Sequence, residues 1–171
     1  VDRGAGELAA VGVPTLADVL ARHPHARVIV EMKVNTVALA RAAVDAVHAA
    51  DAVDRVCLGS FGLRALRAVR ALDPRIATSA SREEVRWGLY RSWCRWPPPR
   101  GPYGAFQVPE RSGQMRVVSP RFVELAHAAG LRVQVWTVDT EGDANRLLDW
   151  GVDALITNRP DVIIPICRSR C

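Results

Sequence analysis

Glu31 and Lys33 stand two residues apart at the end of a short run rich in β-branched residues, Arg27–Met32 (RVIVEM). Residues i and i+2 of a strand share a face, so a carboxylate and an ammonium would project together from one strand end. A carboxylate in that position is a natural oxygen ligand for a divalent cation, Mg²⁺ or Ca²⁺. An ammonium beside it holds an anion, above all a phosphate oxygen, and steadies charge that grows in a transition state. The same spacing also serves a plain Glu–Lys ion pair, and the residues alone leave both readings open. Lys33 gains weight from being the one lysine among 23 basic residues. A compact ammonium does different work from the planar guanidinium used everywhere else in this chain.

Other polar and aromatic candidates fall at predicted strand ends: Ser60 with Phe61, Ser79, Gln107, Trp136 with Asp139, and Thr157 with Asn158. Trp136 shares its strand face with Gln134 and Val138, which suits either the wall of a substrate pocket or core packing. Ser60, Ser81 and Ser119 read as helix caps rather than nucleophiles. His23 and His25 precede the first predicted strand, and His48 and His127 fall inside predicted helices. No histidine follows a strand, so no acid–base histidine is assigned. Cys57, Cys94, Cys167 and Cys171 form no C-x-x-C pair, which argues against metal ligation or a disulfide framework. Cys57 reads as a small buried hydrophobe.

The elements that must position these residues alternate regularly. Strands are predicted over Arg27–Met32, Arg55–Gly59, Arg75–Ser79, Tyr103–Val108, Leu131–Val138 and Asp153–Thr157. A short helix over Pro14–Arg22 precedes them. Thr36 caps a helix reaching about Ala50, Ser60 one over Phe61–Leu72, and Ser81 opens another with Glu84 in capping-box register. Ser119 and Pro120 start a helix that Gly130 ends, and a helix over Thr140–Trp150 stops at Gly151. Strands separated by helical crossovers at this spacing imply parallel pairing in an α/β fold, either doubly wound or a barrel. No glycine-rich phosphate loop follows any strand, which counts against nucleotide folds. Six βα units would make most of a (β/α)8 barrel.

Composition sets outer bounds. The chain has 171 residues, 49% of them hydrophobic, with a mean hydropathy of +0.03. These values suit one folded domain rather than a disordered chain, and no apolar run is long enough to span a bilayer. The chain opens at Val1 without an initiator Met and shows no secretory signal, which reads as a processed or truncated product whose compartment is open. The net charge of +5 is local: Arg82 to Arg121 holds eight arginines against three glutamates, a surplus equal to that of the whole chain. Trp87, Trp93 and Trp96 are interleaved there. The expected reading is an amphipathic helix with half-buried tryptophans and solvated arginines; a nucleic-acid surface and an interface for anionic lipid headgroups are the alternatives. Residues 163–171 are expected to be a frayed tail.

Several segments together resemble the glycerophosphodiester phosphodiesterases, a TIM-barrel family. Val13-Pro14-Thr15-Leu16-Ala17-Asp18-Val19-Leu20 resembles the family's PTL helix start, Glu31-Met32-Lys33 its E-x-K motif, and Gly59-Ser60-Phe61 the SF that ends the next strand. Ala126–Leu131, Val135–Asp139 and Gly151–Pro160 resemble its closing signature, in order and at the right spacing. The resemblance implies a (β/α)8 TIM barrel of which about the last six units are present, in one domain over residues 1–171 that is incomplete at its N-terminus. It implies metal-dependent hydrolysis of a small-molecule glycerophosphodiester to glycerol 3-phosphate and an alcohol. Glu31 would be a ligand of the divalent cation (Mg²⁺ or Ca²⁺), Lys33 a catalytic and substrate-binding contact, and Trp136 a substrate-binding wall. Asp139 stands where the family usually has Asn. The family's His-Arg-Gly, Glu-x-Asp and His-Asp motifs are not found in this chain, so on its own it is expected to be inactive. A non-catalytic barrel remnant that binds phosphate or lipid headgroups is the alternative. Unpaired barrel edges would favour self-association.

Overall fold

The computed structural model describes residues 12–170. Helix α1 (Leu16–Arg22) is opened by Thr15, whose hydroxyl accepts from the Asp18 amide while the Asp18 carboxylate accepts from the Thr15 amide. Then follow β1 (Val28–Glu31), α2 (Val37–Ala49), β2 (Val56–Gly59), α3 (Leu63–Leu72), β3 (Ala77–Thr78) and α4 (Arg82–Trp93). The second half holds β4 (Ala105–Pro109), a hairpin of β5 (Arg111–Ser112) and β6 (Met115–Arg116), α5 (Pro120–Ala128), β7 (Arg132–Trp136), α6 (Glu141–Asp149), β8 (Ala154–Leu155) and α7 (Pro160–Arg168).

All six strands expected from the sequence are present and parallel, although β1, β3, β7 and β8 are shorter than expected. Strands β1, β2 and β3 pair in that order, as do β4, β7 and β8. The two sets join where Ser79 bridges Ala105 and the Ala80 amide donates to the Ala105 carbonyl at 2.9 Å. Thr36, Ser81 and Ser119 cap their helices as expected, Thr140, read as the first residue of its helix, caps it, and Gly130 and Gly151 stop α5 and α6 at φ +76° and +82°, angles that suit glycine.

One face of the strand array packs on the helices. Val56 and Leu58 are buried against Ala40, Val47 and Leu66, and Phe106, Val133 and Val135 against Phe122 and Leu147. The opposite face, read by the strand period of two, carries Ile29, Cys57, Gln107 and Gln134. This face is only partly covered: Ile29 is 47% exposed.

Two expectations change. Residues 160–168 form α7, with Ile163 buried on the core and Arg170 bonding Asn145 at 2.8 Å. The apolar stripe that docks Ile163 was hidden by Pro165, which sits inside the helix; Cys171 lies outside the described residues. The hairpin β5–β6 occupies a stretch to which the sequence reading assigns no element. The tryptophans of the arginine-rich segment are more exposed than expected: Trp87 55%, Trp93 54% and Trp96 62%. The buried face of α4 is Gly88, Leu89 and Ser92. Gly88 lets Phe106 approach so closely that a Cβ there would lie 2.8 Å from its ring.

Candidate functional site

The carboxyl ends of the strands surround a pocket of ≈ 590 Å³. Glu31 ends β1 directly opposite Gly59 of β2, and Lys33 follows two residues later. The Lys33 Nζ donates to Glu31 Oε2 at 2.6 Å. Both side chains line the pocket, with Lys33 73% and Glu31 39% exposed. Each therefore remains open to a solute entering the mouth. Trp136, at the end of β7, lines the same pocket and meets the ring of Phe61 edge to face at 6.0 Å. The structure thus brings Glu31, Lys33 and Trp136 to one concavity, although 105 positions separate the first from the last.

The floor is built from Gly59, Ser79 and Gln107. A Cβ at Gly59 would lie 3.2 Å from both the Gln107 side-chain oxygen and the Ser79 hydroxyl, so glycine here leaves room for the two polar groups. Gln107 Nε2 donates to Gln134 Oε1 at 2.9 Å, which fixes the amide planes of the floor. Below it, burial pushes the Cys57 thiol above its ordinary pKa, making it a poor nucleophile. Gln107 and Ser79 stood among the strand-end candidates, but only the register shows that they share a floor with Gly59.

Ser60 does not cap α3. Its hydroxyl donates to the Met32 carbonyl at 2.9 Å and accepts from the Gly62 amide at 3.2 Å, tying the ends of β1 and β2 together. The cap expected of Ser60 is supplied from another loop: Asn35 Oδ1 accepts from the Ala65 amide at 2.8 Å. Asp139 does not line the pocket. Its Oδ1 accepts from the Asn158 amide at 2.7 Å and the Thr157 hydroxyl at 2.9 Å, and these bonds, the Asn158 amide foremost, hold its carboxyl below the ordinary range. It latches the end of β7 to the end of β8.

None of the histidines is among the pocket's lining residues. His48 bonds Asp73 Oδ2 at 2.8 Å and His127 bonds Asp153 Oδ2 at 2.8 Å; Asp73 and Asp153 lie on the loops that enter β3 and β8. Asp153 Oδ2 also accepts from the Val133 amide at 2.7 Å. These pairs fasten helices to the opposite rim.

A divalent cation finds an incomplete ligand set. Among the described residues, no three His, Cys, Asp or Glu side chains converge to hold a metal. Glu31 is the one carboxylate among the pocket's lining residues, and its Oε2 is engaged by Lys33. Such hard cations prefer several oxygen ligands, so residues 12–170 do not fit the cation by themselves.

Parallel βα units with a pocket at the carboxyl ends of the strands define the class of α/β proteins to which TIM barrels belong. The chain belongs to the Glycerophosphoryl diester phosphodiesterase family, whose model matches residues 3–162. It is similar to a probable glycerophosphodiester phosphodiesterase 2 of Mycobacterium tuberculosis, at 41% identity over 64 residues that cover 37% of this chain and 24% of that protein. In fold it resembles a glycerophosphodiester phosphodiesterase from Parabacteroides distasonis: TM-score 0.71, 24% identity, 92% of this chain and 65% of that one. An Oleispira antarctica phosphodiesterase solved in complex with the product sn-glycerol-3-phosphate is also similar, at TM-score 0.54 and 19% identity over 75% of this chain and 49% of that one. The match thus spans about a quarter of the length of the curated M. tuberculosis relative.

Proposed function

We propose that this chain forms the substrate-facing wall of an enzyme that hydrolyses glycerophosphodiesters to glycerol 3-phosphate and an alcohol. The observation that carries this reading is the Lys33–Glu31 pair at the rim of a pocket whose facing wall is Trp136. In the reaction, a water oxygen bonds to phosphorus, the bond from phosphorus to the alcohol oxygen breaks, and the departing oxygen takes a proton. Lys33 offsets the charge on the phosphoryl oxygens, an interaction that strengthens as the transition state forms. Trp136 packs its ring on the carbon skeleton of the substrate. The bound glycerol phosphate of the O. antarctica protein supports the choice of ligand.

In this reading the six parallel strands are the last six units of an eight-stranded barrel. Glu31 is one carboxylate toward a divalent cation, Mg²⁺ or Ca²⁺, whose remaining ligands would lie outside residues 12–170. The 171-residue chain alone binds the phosphate group without turning the diester over, because its pocket lining offers one carboxylate and no histidine. That composition also favours the second reading, a non-catalytic barrel that binds phosphate or lipid headgroups.

Titration of the chain with glycerol 3-phosphate, followed by the NMR signal of the Trp136 indole N–H, tests the site. A saturable shift that Lys33→Ala abolishes is the expected result. A signal indifferent to glycerol 3-phosphate would overturn the placement of the substrate here. Metal-dependent release of glycerol 3-phosphate from glycerophosphocholine by this chain would overturn its incompleteness.

A further inference from the structure

The outer face of α4 is the feature that the proposed chemistry leaves unused. Helix α4 lies between two neighbours present in the described residues: α3, linked to it by Arg70 and Glu84 at 2.7 Å, and α5 on its other side. Its inner face is buried. Its outer face presents Trp87, Tyr90 and Trp93, and Trp96 follows just past its end; they are 55%, 45%, 54% and 62% exposed. Arg86 on the helix and Arg95 just past its end are exposed beside them, in the segment whose surplus equals the chain's whole net charge. Glu83, in the first turn, is the exposed acid of this helix.

We propose that this face docks on an anionic lipid surface. Tryptophan and tyrosine rings are apolar bodies with a polar edge and settle at the boundary between headgroups and acyl chains. Arginines around them lay their stems on the apolar layer and their guanidinium groups among anionic headgroups. Docking here is peripheral, since no helix among the described residues is long and apolar enough to cross a membrane. Two other occupants fit less well. Base stacking needs free ring faces, but Tyr90 and Trp93 tilt against each other at 5.3 Å and the Arg91 guanidinium covers Trp96 at 5.5 Å. A second copy meeting this face through a two-fold axis would set arginine against arginine.

A second cavity of ≈ 450 Å³ runs from the site along one edge of α4. Trp136 and Gln107 line both cavities, and Arg82, Arg86 and Met115 continue the second one between α4 and the hairpin. Arg86 therefore borders the groove while its neighbour Trp87 belongs to the exposed aromatic face. Docking is independent of catalysis, so failure of the hydrolase reading would leave it standing.

Flotation of the 171-residue chain with vesicles tests the proposal, because floating separates bound protein from aggregate. The chain is expected to float with phosphatidylglycerol/phosphatidylcholine vesicles and far less with phosphatidylcholine alone, and added salt should release it. Trp87→Ser/Trp93→Ser/Trp96→Ser should lower the floated fraction about tenfold, through lost interfacial burial. Arg86→Gln/Arg95→Gln should act in the same direction, and both variants should keep the wild-type circular dichroism and melt, since the side chains are exposed. No flotation, equal flotation on both vesicles, or indifference to both sets of substitutions would each overturn it. So would a face that these substitutions show to serve single-stranded oligonucleotide binding or dimerisation while the vesicles stay bare.

Discussion

Asn35 Oδ1 accepts a hydrogen bond from the Ala65 amide at 2.8 Å, across 30 residues of sequence. The residue two positions after Lys33 thereby caps α3, which follows the strand that carries Gly59. Gly62, the N-cap residue, offers no side chain; a Cβ there would lie 2.1 Å from the Asn35 carboxamide carbon. A capping bond to an otherwise unpaired first-turn amide is worth ~1 kcal/mol. Asn35→Ala is therefore expected to lower stability by about that amount. Gly62→Ala should cost at least as much, because it displaces the cap. In the Asn35→Ala background the Gly62→Ala change should become nearly neutral, since the obstructing group has gone. Additive losses in urea melts would show that the two residues act separately.

Lys33 and Glu31 are expected to matter to turnover in a longer protein that carries two further βα units ahead of β1. Loss of a contact made mainly in the transition state costs about 10²-fold, so Lys33→Ala and Glu31→Ala should each lower kcat/KM for glycerophosphocholine by at least about that factor. Lys33→Arg should restore little, because a planar guanidinium does not place its donors where an ammonium does. A longer enzyme that tolerates both alanine changes would remove these residues from the reaction.

Asp73 gives a pH prediction. The Arg75 guanidinium bonds it at 2.7 Å, and the Arg75 amide and His48 bond it as well. These contacts, the Arg75 side chain foremost, hold the Asp73 carboxyl well below its ordinary 3.8. A carboxyl depressed in the folded state binds its proton more readily when unfolded. Its contribution is therefore complete above the unfolded value and is lost as pH falls through the folded one. Asp73→Asn should lower the Tm at pH 6 and flatten its decline below pH ~4. A parallel acid limb in wild type and variant would exclude Asp73 from it.

Self-association is expected of the isolated chain. Among the described residues, β1 pairs on one side with β2, and β8 on one side with β7. Each leaves an edge of unpaired backbone groups, a template for another strand. Light scattering coupled to size exclusion should find dimers or larger species at micromolar protein. A monodisperse monomer with a cooperative melt would rule out pairing at these edges.

Local physics made much of this protein legible in its residues. The alternation of β-branched runs with helical periodicity, the Ser81 capping box, Pro120 at a helix start and the glycines at 130 and 151 all act within a few residues. They give the same element order whether or not the chain has closed on itself. The strand period likewise put Glu31 and Lys33 on one face. Contacts between units were not legible. That Asn35 rather than Ser60 caps α3, that Gln107 bonds Gln134 over a glycine floor, and that Asp139 latches one strand end to the next all depend on parallel register, which links residues tens of positions apart and leaves no local pattern. The exposure of Trp87 and Trp93 was decided in the same way. Phe106 packs on Gly88, and that contact turns the glycine face of α4 inward and leaves its aromatic face to the solvent.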